Sequence, residues 1–117
     1  MKRSFEYEID EQKITIKFDK ENIYIYIVSE VLGQITWVMK GYEKTSKLIL
    51  ELPPDLIDSF VEMMAVTIIK TMMLVAGTMK APELFSTFST LITQMAKTLR
   101  DEIDNTRVLN PKNMPKA

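Results

Sequence analysis

Apolar and polar residues alternate along the first fifty positions of the chain, and the period changes at Pro53-Pro54. Phe5, Tyr7 and Ile9 alternate with Glu6, Glu8 and Asp10, and Ile14, Ile16 and Phe18 alternate with Lys13, Thr15, Lys17 and Asp19. A period of two predicts a pair of half-buried strands, joined by the short polar step Asp10-Glu11-Gln12. Acidic residues on the outer side of the first would then face lysines on the second, a favourable cross-strand pairing. After the polar stretch Asp19–Asn22, the run Ile23-Tyr24-Ile25-Tyr26-Ile27-Val28 is apolar or aromatic throughout. That is the pattern of a strand covered on both faces.

Gly33-Gln34 between Leu32 and Ile35 predicts a two-residue type II′ hairpin. In that register Glu30 opposes Trp37 and Val28 opposes Met39. Tyr24, Tyr26 and Trp37 then share one side of the sheet, and Ile23, Ile25 and Ile27 share the other with Val38 and Tyr42. A bulge near Ser29-Glu30 would exchange the two faces. A fifth strand is predicted over 47–52, with Leu48, Leu50 and Leu52 inward and Lys47, Ile49 and Glu51 outward.

Beyond the prolines the spacing is helical. Pro54 and Asp55 suit a first turn, where a missing N–H is harmless and negative charge meets the helix dipole favourably. Leu56, Ile57, Phe60, Val61, Met64, Ile68, Met72 and Val75 recur at three- and four-residue steps, and from Met63 the helix is apolar nearly all round. Met63–Met79 is too short to span a bilayer and carries Lys70 at its middle, where a lysine costs about 2.5–3.5 kcal/mol. Residues 77–81 break the helix. Pro82-Glu83 opens a second, with Phe85, Phe88, Ile92, Met95, Leu99 and Ile103 as its apolar stripe. The chain therefore reads as α+β: a five-stranded antiparallel β-meander followed by a two-helix C-terminal hairpin. One domain covers 1–109, with strands in 1–52 and helices in 53–109, and 110–117 forms a mobile tail.

Composition removes much chemistry. The 117 residues include no cysteine and no histidine, which excludes disulfides, thiolate nucleophiles, Ser-His arrangements and the commonest metal ligand. Asp58 and Glu62 share a helical face without a third ligand of matching spacing, and the three glycines are isolated rather than gathered in a phosphate loop. No enzyme, cofactor or metal site is expected. Fifteen basic residues balance sixteen acidic ones, so a strongly basic nucleic-acid footprint is missing. The N-terminus has no apolar signal region, and a cytoplasmic location is expected. Thirteen isoleucines and the Lys/Glu-rich charge set fit a thermophilic, archaeal source or an AT-rich genome.

Two functional leads remain. Tyr24, Tyr26, Trp37 and Tyr42, with Lys13, Lys17, Lys40, Lys44 and Lys47 nearby, form the mixture of stacking platforms and cations that holds single-stranded nucleic acid. The apolar stripes Met64, Ile68, Met72, Val75 and Phe85, Phe88, Ile92, Met95, Leu99 suit an interface between copies of at least a dimer. The layout of a strand meander (4–52) carrying Tyr24, Tyr26 and Trp37, then apolar helices (55–79 and 82–107), resembles small single-stranded DNA-binding proteins. These are the PC4-like and PUR-like sheet-plus-helix folds and the archaeal ThermoDBP-type proteins. The resemblance implies a homo-oligomeric binding module for single-stranded nucleic acid. A structural or scaffolding subunit that binds only protein is the alternative, and a carrier of an apolar ligand in a Met-lined pocket a third; the sheet and C-terminal helix also resemble, more weakly, those of START-like lipid pockets. The side of the sheet that meets the helices bears on the choice: Tyr24, Tyr26 and Trp37 outside would favour nucleic acid, and Ile23, Ile25 and Ile27 outside would favour a sheet face shared between copies.

Overall fold

The computed structural model describes residues 2–75 and 81–108. Strands β1 (Lys2–Ile9), β2 (Gln12–Asp19), β3 (Asn22–Ser29) and β4 (Gly33–Met39) form one antiparallel sheet in the order β1-β2-β3-β4. Helices α1 (Glu43–Leu50), α2 (Pro54–Leu74) and α3 (Ala81–Val108) follow. The chain is α+β, as expected, but with four strands in place of five and three helices in place of two.

The first hairpin follows the sequence pattern. Ile9 pairs with Gln12 across Asp10 and Glu11, and both turn residues have positive φ (48° and 69°). Positive φ at both central positions is the mark of a type I′ turn, whose twist matches that of the strands. Pairs such as Glu8 with Lys13 place opposite charges side by side on the outer face.

The last hairpin differs from expectation. Ser29, not Leu32, closes it by pairing with Gly33, so Glu30-Val31-Leu32 forms a three-residue loop. Gly33 has φ +79°, a left-handed conformation that glycine adopts without steric cost. The Ser29 hydroxyl accepts the N–H groups of Val31 (3.1 Å) and Leu32 (2.8 Å), which satisfies the loop backbone. Trp37 consequently opposes Ile25 instead of Glu30. The displacement is an odd number of residues, so every β4 side chain changes face relative to the expected pairing.

The inner face is thus built in rows across the strands: Phe5–Ile16–Ile25–Trp37 and Tyr7–Ile14–Ile27–Ile35, with Phe18–Ile23–Met39 completing it. Ile16, Phe18, Ile23 and Ile25 are wholly buried. Burying each such side chain stabilises the fold by about 1.5–3 kcal/mol. The isoleucines of β3, not its tyrosines, meet the helices.

Residues 47–52, expected as a fifth strand, lie in α1 and its C-terminal turn. Thr45, Ser46, Ile49 and Leu52 are the buried positions, spaced as one side of a helix. Ile49, assigned outward by the strand pattern, is fully buried. Lys44, Lys47, Leu48 and Leu50 are strong helix formers, and Glu43 sits one turn before Lys47. The backbone N–H of Tyr42 donates to the carbonyl of Glu21 (2.7 Å), which ties the start of α1 to the β2–β3 turn.

Helix α2 opens at Pro54 as expected and packs against β1 and β2 through Ile57, Phe60, Val61, Met64, Ala65, Ile68, Ile69 and Met72. Helix α3 packs on α1 and α2 through Leu84, Phe88, Ile92 and Ala96. The break expected at 77–81 falls mainly, and the tail 110–117 wholly, outside the described residues. A Cβ at Gly33 would meet nothing within 4 Å, so Gly33→Ala carries only the cost of its backbone conformation. It should lower stability by about 1–2 kcal/mol, read as a reduced urea midpoint at unchanged m-value.

Candidate interaction surface

The outer face of the sheet carries the rows Glu6–Thr15–Tyr26–Thr36, Glu8–Lys13–Val28–Gln34 and Ser4–Lys17–Tyr24–Val38. The helices lie against the other face, and among the described residues none packs over this one. Its two halves differ. The β1–β2 side is charged, carrying Glu6 and Glu8 on β1 and Lys13 and Lys17 on β2, with Glu8 directly opposite Lys13. The β3–β4 side holds Tyr24, Tyr26, Val28, Thr36 and Val38 and no charge. Val28 is 53% exposed and Tyr26 37%. The rings of Tyr24 and Tyr26 lie parallel at 6.3 Å, 3° apart in plane. Lys17 Nζ sits 5.9 Å from the Tyr24 ring, and Asn22 Nδ2 donates to the Tyr24 hydroxyl at 3.3 Å.

Of the nine residues expected to bind nucleic acid, four come together here: Lys13, Lys17, Tyr24 and Tyr26. Trp37 does not. The β4 register turns it to the inner face, where its indole stacks on Phe85 at 4.2 Å and 11°. Tyr42 stands at the start of α1, Lys40 is exposed at the exit of β4, and Lys44 is exposed on α1. Lys47, also on α1, lies 3.8 Å from Glu43. The aromatic–lysine patch is therefore divided between two sides of the molecule. The positive φ of Gly33 and the helical course of 43–50 divide it. Asp19 also falls among the outer-face residues, so this surface is not basic.

The stripes expected to bury themselves between copies contribute to the chain's own core. Met64, Ile68, Met72, Phe88 and Ile92 are buried, and Val75, Phe85, Met95 and Leu99 pack against them half-buried. What remains outside is Met63, Leu74 and Leu91 on the helices and Val28, Val31 and Tyr26 on the sheet side. Met63 and Leu91 line an open groove of about 360 Å³ between α2 and α3, together with Phe60, Met95 and Leu99. The methionines thus border a groove rather than an enclosed apolar pocket. A second cleft, about 430 Å³, lies between the β2–β3 turn and α1, with Phe18 and Leu50 beside Asp19, Glu21, Glu43 and Glu51. Ser46 Oγ on its wall is buried without a hydrogen-bond partner, as is Gln12 Oε1 elsewhere.

Asp58 and Glu62 are exposed on α2, near Tyr7 of β1. The Tyr7 hydroxyl donates to the Asp58 carbonyl at 3.4 Å. Burial, and then the negative charges of Asp58 and Glu62, raise the Tyr7 pKa above its ordinary value. Among the described residues no cluster of three acidic side chains is placed to hold a metal ion. Lys70 is exposed, and no described helix is long and apolar enough to cross a membrane.

Fold and surface together define an α+β protein with an antiparallel meander, three helices on one face and an opposite face that no other described residue covers. No protein family, curated protein or solved structure matches the chain significantly.

Two measurements check this site. Phe85→Ala should red-shift the emission of Trp37, the only tryptophan, and cost about 1–2 kcal/mol through loss of a half-buried ring. Because the folded-state pKa of Tyr7 is raised, its contribution to stability is complete below the unfolded value near 10 and is lost as pH rises through the folded one. Tyr7→Phe should therefore flatten the loss of stability above about pH 10, followed by urea unfolding at several pH values.

Proposed function

We propose that this chain is a non-enzymatic, self-associating structural subunit that binds protein through the β3–β4 side of its sheet. The observation that carries the reading is the segregation of charge across that sheet. Tyr24, Tyr26, Val28, Thr36 and Val38 form an uncharged, partly apolar strip on an uncovered face, while the charges gather over β1 and β2. Aromatic and aliphatic side chains without charge are what the centre of a protein interface selects.

A second reading, single-stranded nucleic acid on the same face, draws support from the parallel Tyr24 and Tyr26 rings and from Lys17 beside them. Glu6, Glu8 and Asp19 on that face would repel phosphates, and Trp37 is engaged with Phe85. These features place it second.

Sedimentation over a range of concentrations tests the first reading, which expects self-association that Val38→Glu weakens. Anisotropy of a labelled oligothymidylate at low salt tests the second. A monomer at all concentrations that binds the oligonucleotide salt-sensitively, losing about 1–3 kcal/mol on Tyr24→Ala or Tyr26→Ala, would overturn the first reading in favour of the second.

A further inference from the structure

The two edges of the sheet are unlike. The exposed edge at one side is β1, whose sequence includes Arg3, Glu6 and Glu8. The other edge is β4, Gly33-Gln34-Ile35-Thr36-Trp37-Val38-Met39, which has no charge and no proline. Among the described residues β4 pairs with β3 alone. A strand edge displays unpaired N–H and C=O groups, and charge, proline or a cover is the usual protection against pairing with another chain. β1 has such protection, and among the described residues β4 has none. Two of the inner-face residues of β4, Ile35 and Trp37, are also only half-buried, although Ile25 and Ile27 beside them on β3 are closed to solvent.

Resting on the reading of a self-associating subunit, we infer that β4 pairs antiparallel with β4 of a second copy, making one eight-stranded sheet. The strand is self-complementary about its middle residue, Thr36. In that register Thr36 meets Thr36 of the second copy, and Ile35 of each copy lies beside Trp37 of the other. Inner-face residues then meet inner-face residues, so both sets of helices lie on one side and the half-buried Ile35 and Trp37 edges cover each other. The paired edges are consumed, and the sheet ends at both sides in a charged β1. Association therefore closes at two copies rather than running on as a filament.

The position of Thr36 makes the arrangement testable by charge exchange. Thr36 is exposed on the outer face, so a lysine or glutamate there is tolerated by the isolated fold; circular dichroism confirms this for each variant. Sedimentation of the full chain should show a dimer. Thr36→Lys alone and Thr36→Glu alone each bring like charges together at the twofold axis and should weaken it about tenfold or more. An equimolar mixture of the two variants should recover it. The chain has no cysteine, so Thr36→Cys should also form a cross-linked dimer on mild oxidation, and Ser4→Cys on β1 should not. A dimer untouched by the Thr36 changes but weakened by Tyr26→Ser with Val28→Ser would overturn edge pairing and leave association through the open face standing. A dimer indifferent to both sets, or a monomer at every concentration, would overturn both.

Discussion

Everything on the β4 side of this protein depends on where the chain turns between Ser29 and Gly33. A left-handed glycine and one serine hydroxyl close that loop at three residues, and the closure fixes which way β4 faces. Had the loop been the expected two residues at Gly33-Gln34, Trp37 would lie on the same outer face as Tyr24 and Tyr26. With three, Trp37 sits over Phe85, and Met39 joins Ile23 in the core. A backbone choice worth about 1–2 kcal/mol thus decides the chemistry of an entire face.

The helices enforce the same outcome from below. Ile14, Ile16, Ile23, Ile25 and Ile27 form an unbroken aliphatic floor, and α2 lays its own broad stripe across the β1–β2 half of it. The apparent excess of apolar residues in α2 is largely absorbed by this contact, so the segment that reads as sticky in isolation is mostly interior. Surface adhesiveness is left to smaller features: a tyrosine pair, a few aliphatic side chains, a groove between α2 and α3 and one bare strand edge.

The legible and illegible parts of the sequence separate on physical grounds. β1, β2, the α2 start at Pro54 and the Phe88–Ile92 centre of the α3 stripe are readable, because alternation or helical spacing persists over enough residues to exclude the other period; the burial of Leu84 and Ala96 on α3 is not. The Leu48, Leu50, Leu52 alternation was too short for that, and it misled because the helical partners of Ile49, namely Thr45 and Ser46, are polar. Thr45 finds Thr93 of α3 at 3.3 Å, a contact no local pattern announces. The facing of β3 is not legible in its own sequence, because isoleucine and tyrosine both suit a sheet; only the more complete burial gained by isoleucine settles it. The expected patch failed where it spanned β4 and α1, whose orientation depends on a loop conformation and on tertiary contacts rather than on periodicity.

The order of elements along the chain has a consequence during synthesis. All four strands precede the helices that cover them, and each pairs with its neighbour in sequence, so the meander can assemble from local hairpins as soon as it emerges. Its isoleucine floor then waits for α2 and α3. At ordinary translation rates the wait is roughly 3–14 s, long compared with the microseconds in which a hairpin closes. In that interval the nascent sheet exposes the apolar surface that the helices later conceal.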